Sequence, residues 1–171
     1  MDGTNGTMAC KLRQATLQDS ETIMHLVNLA YEIEDGDTGI GFKNSPRLLH
    51  ATDGLAEAYA ESRVVVAEAG GLLVGAIVWE QKPDTLYFGP LATLPAHKGR
   101  GIGKLLMNHV YAIAAEKGLS TIEISVVSCR TDIIPMYESM GYVRCGRAPF
   151  PCPERLTRDV DFYIYKKQLV K

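Results

Sequence analysis

The stretch PAHKGRGIGKLLMNHV, Pro95 to Val110, sets Gly99, Gly101 and Gly103 at alternate positions and flanks them with Lys98, Arg100 and Lys104. It then turns apolar at helical spacing, with Ile102, Leu105, Leu106, Val110 and Ile113 on one predicted face and a stop near Gly118. The residues before it, TLYFGPLATL, read as a strand. A strand that ends in a glycine turn and opens a helix presents unpaired backbone N–H groups at the positive end of the helix dipole, an arrangement suited to a phosphate. Two nucleotide fingerprints fail on spacing. The dinucleotide pattern G-x-G-x-x-G, started at Gly99, puts Lys104 where its third glycine belongs. The Walker pattern, counted back from Gly103-Lys104, puts Lys98 at its first glycine and Leu105 at the hydroxyl that should hold magnesium.

Upstream of this loop, CKLRQAT alternates as a short strand, and DSETIMHLVNLAYEIE carries Ile23, Leu26, Val27, Ala30 and Tyr31 at helical spacing, with Asp19 or Ser20 as its expected cap. Residues 35–48 are rich in glycine and aspartate and hold a proline; they read as a long irregular loop, either a substrate-contacting lid or a surface connection. TDGLAEAYAES reads as a second helix, and RVVVAEAGGLLVGAIVWE as two strands meeting in a hairpin at Gly70-Gly71. Pro90 removes a ladder N–H from the strand that follows, so a bulge or a local loss of pairing is expected there. Downstream come the strand STIEISVV, the short helix TDIIPMYESMG, the strand YVRCGRAPF, a proline-rich polar loop and the strand VDFYIYKKQL. An antiparallel meander followed by strand–helix–strand units predicts an α/β fold: a mixed sheet of about seven strands with about four helices on its two faces.

Composition narrows the function classes. The 171 residues are 46% hydrophobic and 22% charged, which suits one domain over residues 9–171 behind a small, polar and disordered tail at 1–8. A net charge of -2 gives no reason to expect nucleic acid or an anionic membrane as partner. Cys10, Cys129, Cys145 and Cys152 lack CxxC spacing, and no Cys or His pair repeats at a zinc-ligand interval, so no metal is expected. The first ten residues carry no signal-peptide pattern and no apolar run approaches spanning length, so a cytoplasmic protein is the expectation.

What remains of the loop, KGRGIG, resembles the acetyl-CoA loop [QR]-x-x-G-x-[GA] of the GNAT superfamily of N-acetyltransferases, with Lys98 at the usual Gln/Arg position. TIEISVVSCRTDIIPMYESMGYVR is similar to that family's fifth strand and the helix ending in Y-E-x-x-G-[FY], and RQATLQDSETIMHLVNLAY to its usual opening. The resemblance spans roughly residues 10–169. It implies that the fourth and fifth strands splay apart and that the pantetheine arm of acetyl-CoA lies between them, paired with backbone around Leu91, Ala92 and Thr93. The pyrophosphate is then expected on Lys98, Gly99, Arg100, Gly101, Ile102, Gly103 and Lys104. It implies no metal.

The same resemblance makes Tyr137 the expected general acid for the departing thiolate, because a phenol donates a hydrogen bond without ground-state charge. The base is open. Histone-type relatives carry a glutamate where this chain has Tyr87; Glu123, on the fifth strand and on the same face as Ser125, is either a base acting through water or a salt-bridged strand carboxylate. Glu80 is a weaker candidate, and His97 and His109 read as structural. Arg130 stands where many relatives have Asn; it binds a CoA phosphate or a substrate carboxylate, or pairs with Asp132. Tyr31, Phe42, Tyr87 and Phe150 are expected around the acceptor, with residues 35–48 and 150–158 flanking the cleft. The resemblance thus implies acetyl transfer from the thioester to a primary amine by direct attack in a ternary complex, on a small molecule first. Protein N-terminal or lysine acetylation and a non-catalytic acyl-CoA sensor on the same fold are the alternatives. Homodimers are common in that family, but no motif here specifies one.

Overall fold

The computed structural model describes residues 9–32 and 55–170. The expected tail at 1–8, the candidate lid at 35–48 and Phe42 lie outside the described residues. The elements follow the expected order: β1 (Lys11–Gln14), α1 (Ser20–Glu32), α2 (Ala56–Ala60), β2 (Val64–Ala69), β3 (Leu72–Gln81), β4 (Thr85–Thr93), α3 (Ile102–Glu116), β5 (Thr121–Val127), α4 (Ile134–Ser139), β6 (Val143–Pro149) and β7 (Asp161–Gln168). The strands form one sheet in the order β1-β2-β3-β4-β5-β7-β6. All neighbours are antiparallel except β4 and β5.

Both faces are covered, which explains why β2 and β3 are near-continuous apolar runs rather than alternating ones. On one face α1 and α2 bring Ile23, Leu26, Val27, Ala58 and Tyr59 against Val64, Val66, Ala76 and Val78. On the other, α3 brings Ile102, Leu106, Met107, Val110 and Ala114 against Val65, Val74, Ile77 and Leu86, with Tyr137 and Tyr142 in the same cluster. The stripe of α3 differs from expectation at Leu105, which is 37% exposed. At about 100° per residue Leu105 flanks the stripe on the Ile102 edge, well away from Val110, whereas Met107 and Ala114 lie on the opposite edge, the one turned to the sheet.

Gly70 and Gly71 both take positive φ, 57° and 79°, as a two-residue hairpin between right-twisted strands requires. The entry to α1 also differs. A 3-10 turn at Leu17–Asp19 precedes the helix, and the Asp19 carboxylate reaches back to accept the Thr16 N–H at 2.9 Å rather than capping α1 directly. Arg13 on β1 donates to Asp19 at 2.9 Å and to Glu68 on β2 at 2.9 Å, tying the first strand to its neighbour and to the helix entry.

These bonds hold the Asp19 carboxyl at a pKa of about 2, the Arg13 hydrogen bonds being the largest cause. A folded-state pKa below the unfolded value means that the stabilisation is whole above about pH 5 and drains away as the pH falls through about 2. The urea midpoint is therefore expected to decline over that window, and Asp19→Asn to flatten the decline. A profile that Asn leaves unchanged would assign the acid sensitivity to other carboxylates.

Candidate functional site

The site is built where β4 and β5 part. They pair through Thr85↔Thr121, Leu86↔Ile122 and Tyr87↔Glu123, and the ladder ends there. Immediately beyond, Gly89 and Pro90, joined by a cis peptide, form the expected bulge: Trp79 faces Phe88 and Ile77 faces Leu91, so two residues of β4 stand against Val78. The bulge turns β4 away from β5 and shifts its side-chain parity. Past it, Leu94 donates to Val74 on β3 at 2.9 Å, and Ala92 faces Ala76. Backbone polar groups alternate along a strand, so those of Leu91 and Thr93 point to the open side. The Tyr31 hydroxyl, on α1, donates to the Leu91 carbonyl at 3.3 Å.

A cavity of about 690 Å³ fills the gap. Its lower end is the glycine loop, where Lys98, Gly99, Gly101, Ile102, Gly103 and Lys104 line the wall. Gly101 is the N-cap of α3 with φ of 79°, a left-handed conformation that costs other residues about 1–2 kcal/mol. No side chain caps this helix end and its first turn holds no acidic residue. Leu105 is the first residue to donate into the helix, to Gly101 at 2.9 Å, which leaves the amides of Ile102, Gly103 and Lys104 without helical acceptors. A 15-residue helix that ends in this way at a cavity offers an anion three amides and a dipole worth about 0.3–1 kcal/mol, in addition to Lys98 and Lys104. Arg100 is exposed and does not line the wall.

Strand parity sorts the middle of the cavity into two faces. Phe88, Val126, Met107 and Tyr137 belong to the core on the α3 side. Tyr87, Ser125 and Val127 point to the α1 side, and Phe162 of β7, paired with Val127, points there too. All of these residues line the cavity. Tyr137 is 9% exposed and meets Tyr142 edge to face at 5.5 Å. The Tyr142 hydroxyl shares a 2.7 Å hydrogen bond with Tyr111, and burial first, then that bond, raises its pKa, so it stays neutral.

Other expected site residues stand elsewhere. Glu123 does not line the cavity. It sits at the last β4–β5 pair, 2.5 Å from Lys82 and 3.5 Å from Lys166. Of the alternatives raised for it, the geometry matches the salt-bridged strand carboxylate. Glu80 is exposed. Arg130 does line the cavity, 5% exposed, and grips Asp132 through two bonds of 2.8 and 2.9 Å that lower the Asp132 pKa. Phe150 is a backing residue: it stacks on Phe162 at 5.0 Å beside Val127 and Leu156 and does not reach the cavity wall. His97, expected to be structural, lines the cavity, and its Nδ1 is buried with no hydrogen-bond partner among the described residues. Phe162 carried no signal in the chain; only its pairing with Val127 brings it to the site.

A model of the acetyltransferase (GNAT) family matches residues 26–142, which takes in the splayed strands, the glycine loop and Tyr137. The chain belongs to the GNAT acetyltransferase family. Streptothricin acetyltransferase of Streptomyces lavendulae is 32% identical to it over 100 residues, 55% of this chain and 51% of that protein. The chain thus spans about half the length of that curated relative. The ribosomal-protein-S18-alanine N-acetyltransferase of Escherichia coli superposes with a TM-score of 0.71 at 15% identity, over 95% of this chain and 96% of that one. The PaiA N-acetyltransferase of Thermoplasma acidophilum, solved with coenzyme A, superposes with a TM-score of 0.69 at 14% identity, over 94% and 99%. At such identities these likenesses show the GNAT fold alone. No helix among the described residues is long and apolar enough to cross a membrane.

Proposed function

We propose that this GNAT protein transfers the acetyl group of acetyl-CoA to a small-molecule amine by direct attack in a ternary complex. The observation that carries the reading is the gap between β4 and β5, which runs from an apolar, two-faced cleft to the uncapped N-terminus of α3. The residues present fit acetyl-CoA: a diphosphate suits the amides of Ile102, Gly103 and Lys104 with Lys98 and Lys104 beside them, and the amides of an extended arm suit the open backbone groups of Leu91 and Thr93. The volume falls in the range of small-ligand sites.

Bound acetyl-CoA supplies a thioester whose carbonyl carbon a neutral amine can attack. Tyr137, on the α3 side of the gap, donates its phenolic proton toward the thiolate that leaves. The amine loses its own proton to water, because the Glu123 carboxylate is held between Lys82 and Lys166 and away from the wall. Arg130 holds the turn after β5 through Asp132 and thereby sets where α4 and Tyr137 begin.

The test is release of free thiol from acetyl-CoA, scored together with the acetylated product, across amines, amino acids, polyamines and peptide N-termini. Turnover of small amines above peptides is the expected result. Preference for a peptide would move the reading to protein acetylation, and saturable acetyl-CoA binding without turnover would move it to a sensor.

A further inference from the structure

The two faces of the cleft differ in charge, and the difference bears on the acceptor. On the α3 side the wall carries Lys98 and Lys104. On the α1 side the strand-borne wall is Tyr87, Ser125, Val127 and Phe162, with Tyr31 across from them, and none of these carries a charge. Behind that wall Glu123 sits between Lys82 and Lys166, a cluster with one positive charge in excess of which no member lines the cavity, while Asp132, which does line it, is bound by Arg130. The aromatic rings are also held in place. A Cβ built at Gly89 would come within 2.9 Å of the Tyr87 hydroxyl, so the Tyr87 side chain lies along the bulge where only glycine leaves room, with the Lys82 ammonium 4.9 Å from its ring centre. Phe162 is stacked on Phe150 at 5.0 Å, which in turn packs on Val127 and Leu156.

From this we infer that the acceptor is a monoamine on an uncharged aromatic or alkyl body, selected by the Tyr87–Val127–Phe162 wall, and neither a zwitterionic amino acid nor a polyamine. The inference rests on the proposed acetyl transfer and names its substrate class. Two physical reasons support it. A carboxylate or a second ammonium entering this face meets no charged side chain on the Tyr87–Val127–Phe162 wall, and Asp132 and Arg130 of the lining hold each other, so it loses its hydration without a direct ionic partner. An ammonium at the reacting position is penalised by the same desolvation, which favours the neutral amine that must attack, so the face does part of the work expected of a base. Ser125 is the polar group on the strand-borne wall besides the Tyr87 hydroxyl and can orient the nitrogen by a hydrogen bond.

The experiment compares kcat/KM for phenylethylamine, butylamine, phenylalanine and spermidine at saturating acetyl-CoA, and KM for acetyl-CoA at saturating phenylethylamine, in the wild-type chain, Tyr87→Leu and Phe162→Leu. Phenylethylamine is expected to exceed phenylalanine and spermidine by about tenfold or more, as for a pocket that rejects an unpaired charge. Both variants keep bulk but remove the ring, and each is expected to raise KM for phenylethylamine while KM for acetyl-CoA stays constant. A melting curve checks folding; if Phe162→Leu loses its packing on Phe150, Tyr87→Leu carries the comparison. Spermidine or phenylalanine turned over best, or rings that can be removed without change in KM, would overturn the inference and leave acetyl transfer standing. Absence of thiol release with every amine would overturn both.

Discussion

Tyr137→Phe is expected to lower kcat for thiol release about a hundredfold or more while leaving acetyl-CoA affinity close to that of the wild type, the range typical for loss of one positioned proton donor. The substitution retains the ring: Tyr137 is 9% exposed and meets Tyr142 edge to face at 5.5 Å. The readouts are single-turnover thiol release and calorimetric titration with acetyl-CoA. Equal loss of binding and turnover would make the residue a packing element of the cleft. Unchanged kcat would assign the proton to another donor, with Ser125 on the other face of the cleft and water as the groups to test next. The pH dependence of kcat separates these outcomes further, because a phenolic donor leaves an alkaline limb that Phe removes.

Gly75→Leu carries the largest expected effect on stability. Gly75 lies on β3 directly under the start of α3, and a Cβ placed there meets Ile102 Cγ2 at 2.7 Å, Leu106 Cδ1 at 3.0 Å and the Ala92 carbonyl at 3.3 Å. The first contact is the hard one, since Ile102 is branched at Cβ and has little rotamer freedom in a helix. Relief therefore requires that the helix end move off the sheet. Overpacking of this kind costs about 3 kcal/mol, which for a domain of this size lowers the melting temperature by roughly 10 °C. The displaced end is the one that presents the amides of Ile102, Gly103 and Lys104, so acetyl-CoA affinity is expected to fall with stability, in contrast to Tyr137→Phe. Gly75→Ala gives the graded control. A Leu variant that melts like the wild type would show that α3 can slide on β3 without cost.

The glycine loop and the order of elements were legible in the chain because each depends on a few neighbouring residues, whereas Tyr137 was expected at the cleft only through the family resemblance. Positive φ at Gly101, the hairpin at Gly70-Gly71 and the helical run after Ile102 are local matters of sterics and periodicity. The bulge at Pro90 was legible for the same reason: a missing N–H disrupts a ladder whatever its partner. The helix entry was not, because Asp19 had two uses and the better one, Arg13 with the Thr16 N–H, needs β1 beside it.

The sequence by itself thus determined that β4 runs into a glycine turn that opens α3 and that β4 is broken just above it. The tertiary structure decided what lines the cleft. Lys82, Glu123 and Lys166 are far apart in the chain, and only the registers Tyr87↔Glu123 and Glu123↔Lys166 bring them into one ion cluster that holds Glu123 off the wall. Phe162 enters the site because β7 inserts next to β5, and His97 reaches it from the 3-10 turn Pro95–His97 that follows β4. Backbone conformation follows from contacts within a turn or two, whereas the charge and shape of a cleft are sums over strands that meet only after the sheet has closed.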